Sequence, residues 1–139
     1  LCGKIGGGAN LYGDYANASL SQWYDACTSG GVYTYPYGNT YSTTVCKGAD
    51  YGASTTSAVG TRTTCQSRDG TYDGVYDLSG NVWEWEDSCN GTGRSAYCRL
   101  RGGSFYDFSS HLACGSDNDV YLNPRGGAYS NVGFRCCSP

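Results

Sequence analysis

Two carboxylates, Asp77 and Glu84, bracket a Ser-Gly-Asn turn in the middle of the chain. A hard cation such as calcium binds carboxylate oxygens together with backbone carbonyls, and a turn between two acids supplies both kinds of ligand. The segment is therefore a candidate calcium site. The alternative is that Asp77 and Asn81 cap a tight turn, while Trp83 and Trp85 fill the core.

The nine cysteines point to crosslinking chemistry. Their spacings contain no paired C-x-x-C knuckles, and the single His111 cannot supply a two-histidine half of a zinc site. A short, cysteine-rich chain is typical of an oxidising compartment, where disulfides replace part of the core. The sequence thus predicts disulfides and an extracellular, cell-surface or envelope location. Sequence proximity alone predicts the pairs Cys46 with Cys65 and Cys89 with Cys98, and the odd count leaves one thiol over.

Length and composition limit the possible functions. A chain of 139 residues is the size of one domain, residues 1–139. The net charge of -3 offers no basic surface for a nucleic acid, and no apolar run is long enough to span a membrane. Because charged residues are scarce while glycine and tyrosine are abundant, the domain is expected to be rich in loops.

The secondary-structure signals are few and short. Apolar residues recur at helical spacing between Leu20 and Cys27, which predicts a helix over residues 19–27. Ser19 and Gln22 supply a capping box for its start.

Bounding glycines and alternation predict strands at 82–85, 99–105 and 132–136. Residues 28–71 are expected to form long loops pinned by a crosslink, and residues 106–131 show neither helical nor strand period.

Three motifs occur in a characteristic order, at residues 76–85, 101–105 and 133–136. Together they resemble the formylglycine-generating enzyme (sulfatase-modifying factor) family, whose catalytic domain is a variant of the C-type lectin fold. The resemblance implies an α+β, C-type-lectin-like domain, loop-rich and stapled by disulfides. It also implies that about half of such a domain lies upstream of residue 1 or is supplied by a second chain. The expected core combines the Trp83 and Trp85 segment, the helix carrying Trp23, and the strands ending at Phe105 and Phe134.

The resemblance also assigns bonds and ligands. Calcium in the family is held by the side chains matching Asp77 and Glu84 and by the carbonyls matching Gly80 and Val82. A family disulfide maps onto Cys27 and Cys114. Another family disulfide joins Cys136 to a cysteine of the upstream part, and the partners of Cys2 and Cys137 stay open.

The family's reaction converts a cysteine to formylglycine with copper held by two thiolates. Counting from Ser104, those positions fall on Asp107 and Leu112, neither of which can replace a thiolate for Cu(I). No copper and no catalysis are therefore expected, with a copper oxidase kept as the alternative. His111 could be a base, yet no nucleophile motif accompanies it.

The segment between Phe105 and Val132 is composed like an antibody paratope, in which tyrosine gives rigid contact area and small polar residues adapt. Every residue type in it can be reached by changing the adenines of an Asn codon, as in variable proteins diversified by retroelements. The sequence therefore predicts a non-catalytic binding module for a surface protein or glycan, with a purely structural surface protein as a further alternative. Its predicted contact residues are Tyr106, Asp107, Phe108, Ser109, Ser110, His111, Asp117, Asn118, Asp119, Tyr121 and Tyr129.

Overall fold

The computed structural model describes residues 1–116 and 124–138. Regular elements are short and separated by long connections, as the composition predicts. No helix in those two ranges has the length and apolar character needed to cross a membrane. In chain order the elements are helix α1 (Gln22–Thr28), 3-10 turns at Ala49–Tyr51 and Gly70–Tyr72, strands β1 (Trp83–Cys89) and β2 (Cys98–Arg101), helix α2 (Ser109–Leu112) and strand β3 (Val132–Phe134).

Strand β1 is the centre of a three-stranded sheet. It runs antiparallel to β2, with Glu84 opposite Arg101, and parallel to β3, with Glu84 opposite Gly133. The three motifs of the sequence therefore meet on adjacent strands. Because successive side chains of a strand point to opposite faces, the tryptophans of β1 lie on one face and its glutamates on the other.

Helix α1 begins later than predicted. Its N-cap is Ser21, whose hydroxyl accepts the N–H of Tyr24 at 3.0 Å, and not Ser19. The backbone N–H of Ser19 is instead bonded to the Asn17 side chain. Ser21 has a second partner, because its hydroxyl donates to Glu86 on β1 at 2.6 Å. This long-range contact favours Ser21 over the local capping signal.

The core lies between α1 and the glutamate face of β1. Trp23, Leu78 and the Cys27 and Cys114 pair are fully buried there. Phe105 is also buried, but Phe134 is 69% exposed. The prediction that the β3 strand buries Phe134 is therefore wrong.

Strand β2 is shorter than predicted because the chain turns at two glycines. Gly102 and Gly103 have φ angles of 83° and 71°, in the left-handed region that favours glycine. A Cβ atom on Gly102 would lie 2.6 Å from the carbonyl oxygen of Leu78. The turn therefore ends the strand at Arg101 and brings the chain against the segment before β1.

Four disulfides hold the long connections. Three join the expected pairs, Cys27–Cys114, Cys46–Cys65 and Cys89–Cys98, and a fourth joins Cys2 to Cys137. The thiol of Cys136 is free and exposed. The Cys46–Cys65 bond lies within residues 28–71 and ties that loop region down, as predicted.

Candidate functional site

The turn before β1 and the glycine turn after β2 are hydrogen-bonded to each other. The Gly80 N–H donates to the Gly102 carbonyl at 2.8 Å, and the Phe105 N–H donates to the Asn81 carbonyl at 3.1 Å. Gly80 itself lies so close to the Lys47 backbone that a Cβ would be 2.3 Å from its carbonyl oxygen. The segment that follows Phe105 therefore begins next to two closely packed turns that are hydrogen-bonded to each other.

The first part of the predicted contact loop is organised by Asp107. One carboxylate oxygen accepts the backbone N–H and the hydroxyl of Ser104, at 2.9 and 2.6 Å. The other oxygen lies 3.1 Å from Nδ1 of His111. The Asp107 carbonyl also accepts the Ala49 N–H at 2.9 Å, and Asn131 donates to the Ser104 hydroxyl at 3.4 Å. Asp107 thus holds the loop together from within.

Arg101 anchors the second part of the loop. Its guanidinium donates to the carbonyls of Cys114 and Ser116 at 2.8 and 3.0 Å. Arg101 is fully buried beside Glu86, with 3.3 Å between Nε and a carboxylate oxygen. Burial raises the pKa of Glu86, and the neighbouring Arg101 charge opposes that rise. The buried guanidinium thus holds the loop backbone at Cys114 and Ser116.

Large side chains remain on the outside of this framework. Tyr106 is 61% exposed, Phe108 60% and Tyr129 46%. The His111 side chain is 38% exposed, and its ring lies 5.9 Å from the buried Trp83 ring. Ser110 is also exposed, so these side chains are available to touch a partner.

The remaining predicted contact residues fall into two groups. Ser109 is half-buried and begins α2. The other four lie outside the described residues: Asp117, Asn118, Asp119 and Tyr121.

A cluster of tyrosines beside the start of α2 was not predicted from the sequence. The Tyr35 hydroxyl donates to the Ser109 carbonyl at 3.2 Å. The Tyr35 ring stacks on Tyr37, with centroids 5.5 Å apart, and lies 5.7 Å from the Tyr41 ring. The closely spaced tyrosines were a visible signal, but nothing in the sequence indicated that Tyr35 contacts the start of α2.

The two positions that the family resemblance reserves for copper thiolates have other roles in this chain. Asp107 bonds to Ser104 and His111, and Leu112 is buried, with 1% of its surface exposed. The nearby Cys114 is bonded to Cys27. No thiolate is therefore available from the described part of this loop.

The predicted calcium segment is also engaged in internal contacts. Glu84 accepts the Trp23 indole N–H at 2.8 Å and binds the Arg135 guanidinium through both oxygens, at 2.7 and 3.0 Å. Asp77 is buried with a φ of 60°, and its carboxylate accepts the Gly60 N–H at 2.8 Å. Burial raises the pKa of Asp77, although that hydrogen bond and nearby cations oppose the rise.

These contacts do not fit a preassembled calcium site. Three of the lone pairs that Glu84 could offer are already used. Across residues 1–116 and 124–138, His, Cys, Asp and Glu side chains form no group of three that could hold a metal. Calcium bound by Asp77, Glu84 and the carbonyls of Gly80 and Val82 stays a prediction from the resemblance.

Solved structures with a similar fold include the following two. Treponema denticola variable protein 1 gives a TM-score of 0.62 at 23% identity, over 81% of this chain and 43% of that protein. A structure described as the crystal structure of CarF gives 0.60 at 22% identity, with the same two coverages. This chain therefore spans less than half the length of either protein, and identities this low relate the folds alone.

A search of curated proteins gives no match to this chain. The family model for the sulfatase-modifying factor enzyme 1-like domain matches residues 8–138, nearly the whole sequence. This chain therefore belongs to the family of sulfatase-modifying factor enzyme 1-like domains.

Proposed function

We propose that this chain is a non-catalytic ligand-binding module on a C-type-lectin-like scaffold. One observation carries the proposal: Tyr106 and Phe108 are both about three-fifths exposed, while Asp107 between them is held by Ser104 and His111. Large exposed aromatic side chains that lie close together often mark a site of interaction with a partner. A rigid backbone lowers the entropy lost on binding, so this loop is suited to recognition.

The contact face consists of the exposed side chains of Tyr106, Phe108, Ser110, His111 and Tyr129. Aromatic rings supply apolar contact area, and the hydroxyl and imidazole groups supply directional hydrogen bonds. Such a surface suits a protein or a glycan on the outside of a cell. Four disulfides support an extracellular or envelope location, because such bonds persist in oxidising compartments.

The copper oxidase alternative has less support. Its thiolate positions hold Asp107 and Leu112, and Cys114 is committed to a disulfide. We expect the whole protein, loaded with Cu(I) and given a cysteine peptide and oxygen, to produce no aldehyde. Copper-dependent turnover would overturn the non-catalytic assignment.

We also propose that the loop is diversified between copies of the gene. The composition of residues 106–131 supports this, and one protein of similar fold is itself named a variable protein. Sequencing the coding segment across a population should show variation confined to this loop. The motifs at 101–105 and 133–136 should be constant. An invariant loop would point to a single fixed ligand.

The binding proposal is tested with loop variants of the whole protein. The wild-type protein is screened against a glycan array and a displayed library of cell-surface proteins. Each molecule that binds is then titrated with the wild type, a double loop variant and a control variant. We expect Tyr106→Ala with Phe108→Ala to weaken binding at least tenfold, because aromatic anchors dominate interface energies. Leu11→Ala is the matched control, since Leu11 is 72% exposed and outside the loop.

Two results would contradict the proposal. One is a hit that binds the loop variant and the wild type equally well. The other is a screen in which no molecule binds, which would favour a purely structural surface protein.

A further inference from the structure

A second concave region lies along the tryptophan face of β1. By strand alternation Trp85, Asp87 and Cys89 share the face of Trp83 but lie further along the strand. A cavity of about 190 Å³ opens against this face, and Trp85, Asp87, Arg125 and the Cys89–Cys98 disulfide contribute to its lining.

A neighbouring cavity of about 420 Å³ shares Asp87, Cys89 and Arg125 with the first and extends to Asn90 and Thr92. Its volume falls in the usual range of about 300–1,000 Å³ for small-molecule sites. The lining includes no residue of the contact face. We call the two cavities together the β1 groove.

Two opposite charges in the β1 groove have no internal partner. Within the described residues neither the Asp87 carboxylate nor the Arg125 guanidinium takes part in a salt bridge. Their backbones, in contrast, are pinned. Asp87 donates to the Cys2 carbonyl and accepts from Asn10, while Arg125 donates to the Ala96 carbonyl. Both residues thus line the groove from anchored backbone positions.

The charges limit the kind of ligand. An anion would be attracted by Arg125 and repelled by Asp87, and a cation would meet the reverse. A neutral molecule with several hydroxyl groups satisfies both, because it donates to the carboxylate and accepts from the guanidinium. The half-buried Trp85 ring and the disulfide offer an apolar wall beside these groups.

We propose that the β1 groove binds a neutral saccharide ring. The apolar face of the ring lies against Trp85, and its hydroxyls bond to Asp87 and Arg125. Asn90 adds a further donor, since its side-chain oxygen is used by the Tyr97 N–H and its amide hydrogens remain. This site is separate from the contact face and does not depend on the function proposed for that face.

The test is a titration of the whole protein with monosaccharides. The probes are neutral hexoses and N-acetylhexosamines, with a hexuronic acid and a hexosamine as charged comparisons, followed by tryptophan fluorescence and ligand-observed NMR. We expect a neutral sugar to bind with a dissociation constant of about 1–10 mM. Asp87→Asn and Arg125→Gln should each weaken that binding about tenfold or more.

Control variants distinguish this site from the contact face. Arg94→Gln removes an exposed guanidinium near Gly126 that does not line the groove, so it should leave sugar binding unchanged. Tyr106→Ala should also leave it unchanged. Tyr106→Ala should therefore weaken contact-face binding alone, and the two groove variants should weaken sugar binding alone. A variant that leaves its own kind of binding unchanged shows which of the two proposals has failed.

Several outcomes would overturn the saccharide proposal. One is the absence of any response to the neutral sugars. Another is binding that survives both Asp87→Asn and Arg125→Gln, and a third is a preference for the charged sugars. The two groove variants are tested independently, so that a folding defect in one leaves the other informative.

Discussion

Oδ1 of Asp107 lies 3.1 Å from Nδ1 of His111, one helical turn further along the chain. A proton on Nδ1 shared with the carboxylate leaves Nε2 as an acceptor directed away from the pair. The other Asp107 oxygen is bonded to Ser104 in the glycine turn. This pair therefore connects the contact face to the sheet.

Asp107→Ala should destabilise the protein by about 1–3 kcal/mol, because the buried Ser104 groups and His111 lose their acceptor. Urea unfolding measures the change. Ser110→Ala is the control, since Ser110 is exposed in the same loop region and should change stability by less than about 0.5 kcal/mol. Equal stabilities of the two variants would show that Asp107 does not hold the loop.

Removal of the Cys27–Cys114 disulfide should cost more stability than removal of Cys89–Cys98. The two bonds span 87 and 9 residues, and a longer closed loop restricts the unfolded chain more. The chain-entropy model gives about 5 against about 3 kcal/mol. Double Cys→Ala variants compared by thermal unfolding test this order. A larger loss from the short loop would contradict it.

Ionisation of the buried Asp77 carboxyl group should lower the stability of the folded protein as the pH rises. Its folded pKa is raised by burial, so the folded state binds the proton more tightly than the unfolded state. Stability from this group is therefore greatest below the ordinary carboxyl pKa of about 3.9 and falls as pH rises to the folded value. We expect Asp77→Asn to gain stability relative to wild type as the pH rises above that ordinary value.

That comparison is made by urea unfolding in the presence of EDTA, so that no metal contributes. Asparagine keeps an acceptor for the Gly60 N–H and tolerates the left-handed backbone at this position. A difference between the two proteins that does not change with pH would contradict the burial argument.

Calcium binding at Asp77 and Glu84, which we propose from the family resemblance alone, predicts that EDTA lowers the thermal midpoint of the wild type and that calcium restores it. A ligand present at 100 times its dissociation constant stabilises the folded state by about 2.7 kcal/mol. Asp77→Asn should abolish the response to EDTA. An unchanged wild-type midpoint would contradict the proposal and leave Glu84 as a partner of Trp23 and Arg135 alone.

The family and its motifs were readable from the sequence because their constraints are local. Gly102 and Gly103 turn the chain where a side chain would collide with the neighbouring segment. The short cysteine pairs followed from proximity. The start of α1 was mispredicted because Ser21 is selected by Glu86, 65 residues away, and no local pattern reports such a contact.

The sequence by itself determined the family, the presence of disulfides, the lack of the copper thiolates at 107 and 112 and the composition of the contact loop, all of which depend on residue types and their order. Only the tertiary structure decided which way side chains face. It turned Asp107 inward, left Phe134 exposed, paired Glu84 with Arg135 and placed Arg125 and Asp87 in the lining of one cavity. Burial and pairing depend on atoms that are distant in the chain, so they are properties of the folded molecule.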